Sequence, residues 1–188
     1  GWVAVGTTDA FVVRDSSIFS TGAGPYPSWL RTEQAYENFV LRFEYQTEGW
    51  YEGGFLLHAP FDGPASKLGF KIHLRHEQKA YGLRSPGAIY DVAAPRSIAN
   101  LPSGEWNACE ITCDWPRLQV TLNDQLINDL SMDTEPGFRN RLRRGYMGIQ
   151  NIGCRASFRN LRIRALPDQE EPWQPLFRSG MAAMQEQG

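Results

Sequence analysis

The sequence has no run of about 18 apolar residues, so it holds no segment of the kind that crosses a bilayer as a helix. Periodicity of the helical kind is scarce too, which argues against a bundle. Charge of one sign is also lacking: 19 Lys and Arg against 21 Asp and Glu leave a net charge of -2. No general attraction to nucleic acid or to an anionic membrane follows from that balance, and any basic patch must be local. No glycine-rich phosphate loop opens a helix and no Gly-x-Ser-x-Gly elbow is present. Cysteine is limited to Cys109, Cys113 and Cys154. Four residues along one strand put Cys109 and Cys113 about 13 Å apart, too far to bridge each other. Either Cys154 pairs with one of them, or all three are buried thiols, the reading that the apolar parity of Cys109 and Cys113 favours.

What the chain does contain is alternation. In Gly104 to Asp129, Cys109, Ile111 and Cys113 fall on one parity and Glu110, Thr112 and Asp114 on the other, the period-two signature of a half-buried strand. Trp115-Pro116 turns the chain, Leu118, Val120 and Leu122 face inward on the way back, and Asn123-Asp124 makes a hairpin turn into Leu126 to Leu130. Phe39, Leu41, Phe43 and Tyr45 alternate with Val40, Arg42, Glu44 and Gln46. Lys67 to Arg75 reads as a strand with Leu68, Phe70, Ile72 and Leu74 on one side and Lys67, Lys71, His73 and Arg75 on the other. Further strands are expected at Phe11 to Arg14, Ile18-Phe19, Trp29 to Thr32, Gly53 to His58, Ala88 to Tyr90, Tyr146 to Gln150 and Ala156 to Leu166, the last with a bulge near Arg159-Asn160. Gly 18 and Pro 12, 30 residues in 188, are spread along the chain as turns between short strands. The predicted fold is all-β, a two-sheet antiparallel sandwich of jelly-roll type. One main domain over 1–166 is expected, with a proline-bearing tail over 167–188.

Several segments together resemble a known family. They are Phe39-Val-Leu-Arg-Phe-Glu-Tyr45, Gly54-Phe-Leu-Leu57, Gly87-Ala-Ile-Tyr90, Pro102-Ser-Gly-Glu-Trp-Asn107, Leu122-Asn123, Arg144-Gly-Tyr-Met-Gly-Ile-Gln-Asn151 and Phe158-Arg-Asn-Leu-Arg-Ile163. In this order they are similar to landmarks of the 3-keto-disaccharide hydrolase domain. The resemblance implies a concanavalin A-like jelly roll, a bacterial protein that is secreted, periplasmic or at the cell surface, and cleavage of an oxidised sugar. It implies a carbohydrate as partner; no cofactor is expected. The chain departs from the family pattern where Lys71 and His73 replace an acidic residue and an amide, and where Ile152 stands at a position that often carries His. Exchange of acid for base at this face points to a negatively charged substrate, or to chemistry that has moved or been lost. Glu171-Pro-Trp-Gln-Pro-Leu-Phe177 resembles the segment that normally precedes the Gly-Trp pair at the start of this chain. The expectation is a piece of a longer polypeptide of tandem copies, or a tail that supplies its own domain's first strand with Leu176 and Phe177 buried; a solvated linker is the alternative.

A 3-keto group acidifies the hydrogen at C2, so cleavage needs a base for that proton, a donor for the enolate oxygen at C3 and an acid for the leaving oxygen. His73 is the expected base or acid because His titrates near neutrality, with Glu52 or His58 completing proton transfer. Lys71 and Arg75 are the expected donors to the enolate. Arg42, Glu44, Gln150 and Asn151 are expected to contact the sugar, and Trp50, Tyr51 and Tyr90 to stack on its C–H face. For each charged residue the competing reading is a solvated sheet surface; for His58 it is a structural hydrogen bond, and for Trp50 and Tyr51 loop packing. Arg139, Arg141, Arg143 and Arg144 read as a solvated loop, with steering of an anionic sugar as the alternative. A metal at His73 and His76 is not expected, since odd spacing on a strand sends the two rings to opposite faces.

Overall fold

The computed structural model describes residues 1–6, 9–24 and 28–168. Twelve strands are described: β1 (Trp2–Val5), β2 (Phe11–Arg14), β3 (Ser17–Thr21), β4 (Ser28–Thr32), β5 (Phe39–Thr47), β6 (Gly54–Ala59), β7 (Phe70–His73), β8 (Asn107–Asp114), β9 (Arg117–Leu122), β10 (Gln125–Ser131), β11 (Tyr146–Asn151) and β12 (Arg155–Ala165). They form two antiparallel sheets, one of five strands in the order β1-β4-β11-β6-β7 and one of seven in the order β10-β9-β8-β5-β12-β3-β2. The architecture is the all-β jelly-roll sandwich that the alternation predicts.

The core lies between the sheets because each strand offers every second side chain to it. From the seven-stranded sheet come Phe39, Leu41, Phe43, Tyr45, Cys109, Ile111, Cys113, Leu118 and Val120; Phe55, Leu57, Phe70, Ile72 and Ile149 meet them from the other. Phe43 and Phe55 stack across the gap with ring centroids 4.7 Å apart. All three cysteines are buried free thiols. The Trp115-Pro116 turn and the Asn123-Asp124 hairpin stand where the sequence puts them, with φ of 48° and 64° at Asn123 and Asp124 as a tight right-twisted hairpin requires. The bulge in β12 is also present, as a register shift against β5 between Arg159 and Arg162, with φ of 54° at Asn160.

Three expectations change. Lys67 and Leu68 are not strand: Asp62-Gly63-Pro64 turns the chain into a single helical turn, α1 (Ala65–Leu68), and Leu68 is left exposed. Arg141 fixes that turn by donating to the carbonyls of Ser66 and Gly69. Ala88 to Tyr90 is not a strand either; a turn at Asp91 with φ of 57° folds Ile89 back on Ala93, and only an isolated bridge joins Ile89 to Ile72. The arginine loop is not simply solvated, since Arg143 pairs with Glu37 at 2.9 Å and lies 4.3 Å from the Trp115 ring. Leu176 and Phe177, and with them the expected self-docking of the tail, lie outside the described residues.

Two substitutions test this core. Phe43→Ala should cost about 3 to 5 kcal/mol by leaving a cavity opposite Phe55. Tyr45→Phe should be neutral, or stabilising by about 1 kcal/mol, because the Tyr45 hydroxyl is buried with no partner. Urea midpoints of the two variants, compared with the parent, check both.

Candidate functional site

Burying Phe70, Ile72 and Leu74 forces Lys71, His73 and Arg75 to the outer face of the five-stranded sheet. Register then fixes their neighbours. One transverse row runs Arg31, Gly148, Leu56, Lys71 across β4, β11, β6 and β7. In the next row Trp29 pairs with Gln150, and Gly54 with His73. The two glycines in the middle let neighbouring side chains lie flat against this face. A Cβ at Gly54 would collide with the Lys71 stem, and one at Gly148 would strike the Leu30 carbonyl and the Trp29 ring, so both neighbours lie across sites where a larger residue would lift them.

Lys71 is only 6% exposed, yet it has no carboxylate partner in the described structure. Its Nζ donates to Gln150 Oε1 at 3.2 Å and sits 4.0 Å from the centroid of the Tyr90 ring. Burial lowers its pKa to about 8, against the pull of Asp91 and Glu52. His73 meets the edge of Tyr90 with ring centroids 5.0 Å apart, and its Nδ1 is 2.9 Å from the Arg84 carbonyl. Burial first, then the charge of Lys71, lowers its pKa to about 4, while the carbonyls of Arg84 and Glu52 oppose the shift. The ring is therefore neutral at pH 7, with the proton on Nδ1 donated to Arg84. Arg75 is neutralised: it pairs with Glu52 through Nη1 and with Glu77 through Nη2, the latter at 2.6 Å, and lies 4.2 Å from the Tyr81 ring.

Lys71, His73, Arg75, Glu52, Tyr90 and Gln150 are thus brought together. The other expected residues are not. Arg42 and Glu44 project from β5 on the outer face of the opposite sheet, where Arg42 pairs with Glu110 and Glu44 accepts from Arg159 and Asn160 at 2.7 Å. They line a separate cleft of about 650 Å³, in which Arg42 and Glu44 are each already paired with a residue of their own sheet. His58 would face outward by strict alternation, but two residues of β6 oppose Met147 between the Tyr146 and Gly148 pairings, and its φ of 48° turns the ring into the core. There it packs edge-on to Phe39 and Phe70, with Nε2 bonded to the Glu37 carbonyl at 2.8 Å. Tyr51 is fully buried, its hydroxyl in the space that Gly53 leaves by lacking a Cβ. Trp50 is exposed and packs on His76, 6.3 Å away between centroids. Asn151 is a structural bridge, donating to Ala23 O and Ser28 Oγ and accepting from the Gly153 amide.

Sequence reading missed Arg31. Its place beside Trp29 in an alternating strand is the one signal that puts it on this face. Among the described residues no group of three or more His, Cys, Asp or Glu side chains stands close enough to hold a metal ion, and no helix is long and apolar enough to cross a membrane.

Comparison with known proteins follows this geometry. Residues 1–164 match the family described as "3-keto-alpha-glucoside-1,2-lyase-like domain". The chain belongs to that family. A search of the curated proteins finds no match. Among solved structures, a provisionally assigned glycosyl hydrolase from Parabacteroides distasonis is similar with a TM-score of 0.76 at 18% identity, covering 88% of this chain and 100% of that one. The carbohydrate binding module CBM66 from Bacillus subtilis is similar with a TM-score of 0.63 at 14% identity, over 88% and 96% of the two chains. Alginate lyase A1-II', of polysaccharide lyase family 7, reaches 0.57 at 14% identity over 85% and 84%. At these identities the shared property is the sandwich itself.

The two buried histidines of the sandwich make stability depend on pH. Each has a folded pKa of about 4 against an unfolded value near 6.5, so the unfolded chain binds more protons in between. Stability should therefore be full above about pH 6.5 and fall as pH drops toward 4, by up to about 3 kcal/mol for each ring. Urea midpoints measured at pH 7 and pH 5 should converge partly in His58→Gln, whose remaining acid sensitivity then reports His73.

Proposed function

We propose that this carbohydrate-active domain cleaves a 3-keto glycoside by elimination across C1 and C2, on the outer face of the five-stranded sheet. The observation that carries the reading is Lys71, a nearly buried ammonium with an amide and an aromatic face for company but no carboxylate among the described residues. Such a group favours an oxygen on which negative charge develops. The C3 carbonyl of an oxidised sugar becomes that oxygen when the C2 proton leaves.

In this reading the neutral His73 ring takes the C2 proton at Nε2, its Nδ1 proton being held by Arg84. The electron pair moves through C2–C3 to the C3 oxygen, where Lys71 stabilises the enolate. It then returns to form the C1–C2 double bond as the C1–O bond breaks, and the departing oxygen takes up a proton. Gln150, which accepts from Lys71 through Oε1, is left with its amide N–H groups for the sugar. Tyr90 supplies a flat apolar surface beside the ammonium. Arg75 and Glu52 hold each other and position the loop at 77–81 through Glu77 and Tyr81, so they support the site without reacting. Export to the periplasm or cell surface belongs to the same reading.

A second reading is a sugar-binding module without turnover. Favouring it is His73 itself, 3% exposed and drawn on by two backbone carbonyls, a poor approach for a substrate proton.

Incubation with 3-keto-trehalose or a 3-keto-glucoside separates the two. Under the catalytic reading an unsaturated keto sugar and the free aglycone appear, and Lys71→Met lowers kcat about 10²- to 10³-fold without unfolding the protein. The pH profile of kcat/KM should rise as His73 loses its proton near pH 4 and fall as Lys71 loses its own near pH 8. Binding without product formation would leave the module reading.

A further inference from the structure

We infer that the same outer face takes an acidic sugar, its carboxylate or sulfate held by Arg31 at the far end of the row that begins with Lys71. The inference rests on the proposed location of the sugar site and names the class of sugar.

Arg31 is 7% exposed. Its Nη1 donates to the Thr32 carbonyl at 2.9 Å, and its Nε–H is buried without an acceptor. No carboxylate among the described residues pairs with it, whereas Arg75, comparably buried on the same face, has two. The rings of Tyr146 and Phe61 lie 4.3 and 4.7 Å from the guanidinium carbon. Phe61 is 60% exposed on the turn after β6, the side from which a ligand would arrive. A buried guanidinium packed on aromatic rings and lacking a counter-ion is strongly biased toward a planar anion, which its fork can bind through two hydrogen bonds.

Position in the sheet adds a second argument. Arg31 and Lys71 occupy one transverse row, three strand spacings apart, or about 14 Å between Cα atoms. Between them stand Gly148 and Leu56, with Trp29 and Gln150 in the next row. Among the described residues, two buried cations without carboxylate partners thus stand on one sheet face, with a glycine, an apolar side chain and an indole between them. A disaccharide laid along the row would put its reacting ring over Lys71 and the acidic group of its other ring at Arg31.

The test is calorimetric binding of a disaccharide with a terminal uronate, its 6-sulfated counterpart and the neutral parent, at low and raised salt. Either acidic sugar should bind about tenfold or more tightly than the neutral one, with the advantage shrinking as salt rises. The stronger of the two identifies carboxylate or sulfate as the recognised group. Arg31→Gln should abolish the preference while leaving neutral-sugar affinity unchanged, and Arg31→Lys should keep only part of it. Equal binding of all three sugars, or a preference that survives Arg31→Gln, overturns the inference. If Arg31→Gln does not fold by circular dichroism, Arg31→Lys and the salt response of the unaltered protein decide. Equal binding of acidic and neutral sugars by the unaltered protein, with 3-keto-glucoside turnover intact, would refute the acidic-sugar assignment alone. An acidic-sugar preference in a protein that turns over no 3-keto glycoside would refute the catalytic reading alone.

Discussion

The packing of Phe70, Ile72 and Leu74 against the seven-stranded sheet is the contact on which the site depends. A strand has two faces and no third, so each apolar side chain driven inward sends its neighbour outward. Lys71, His73 and Arg75 do not choose their direction; the core chooses it for them. A slip of one residue in the pairing of β7 with β6 would bury two charges and a neutral imidazole between the sheets, at a cost no sandwich of this size could bear. The chemistry is held in place by hydrophobic burial on the opposite side of the same backbone.

Charge on that outer face is sorted by partner. Arg75 has Glu52 and Glu77, and the trio ties β7 to the loop that follows it. Lys71 and Arg31 are buried as deeply, yet among the described residues they have only an amide, a carbonyl and aromatic rings. Burying a cation without a counter-ion is unfavourable, and proteins seldom retain it without a use. The contrast within a single sheet face is more informative than the burial of any one of the three, because all are comparably buried and packed on aromatic rings, and only Arg75 has a carboxylate among the described residues.

Much of the fold could be read from period and turn chemistry. Phe39–Thr47 and Asn107–Asp114 announce their inner faces without ambiguity, and Trp115-Pro116 and Asn123-Asp124 announce the turns between strands. Alternation states which face of a strand is wet; it does not state which of two sheets the strand joins. That is why Arg42 and Glu44, on an equally clear polar parity, sit on the opposite side of the molecule from Lys71. His58 escaped for another reason. The bulge that turns it inward comes from a register mismatch with β11, nearly ninety positions away in sequence, and nothing within β6 records it. Tyr51 is buried because Gly53 makes room for its ring, a fit visible only once the chain has folded back.

The free edge of β7 explains how the sandwich accommodates Lys71 and His73 at its rim. The segment at 87–90 covers that edge through main-chain groups: Tyr90 N–H to Lys71 O, His73 N–H to Ala88 O, and Gly87 N–H to His73 O. Pairing of this kind satisfies an edge strand whatever side chains it carries. Tyr90 is consequently delivered over position 71 by the backbone whatever side chain stands there, and its ring face favours the cation that does. Recognition on this face can therefore change sign by substitution at one outward position, without disturbing the loop that encloses it or the core beneath it. The main chain holds the cover and the outward side chain sets the charge beneath it, so the two are specified by separate parts of the sequence.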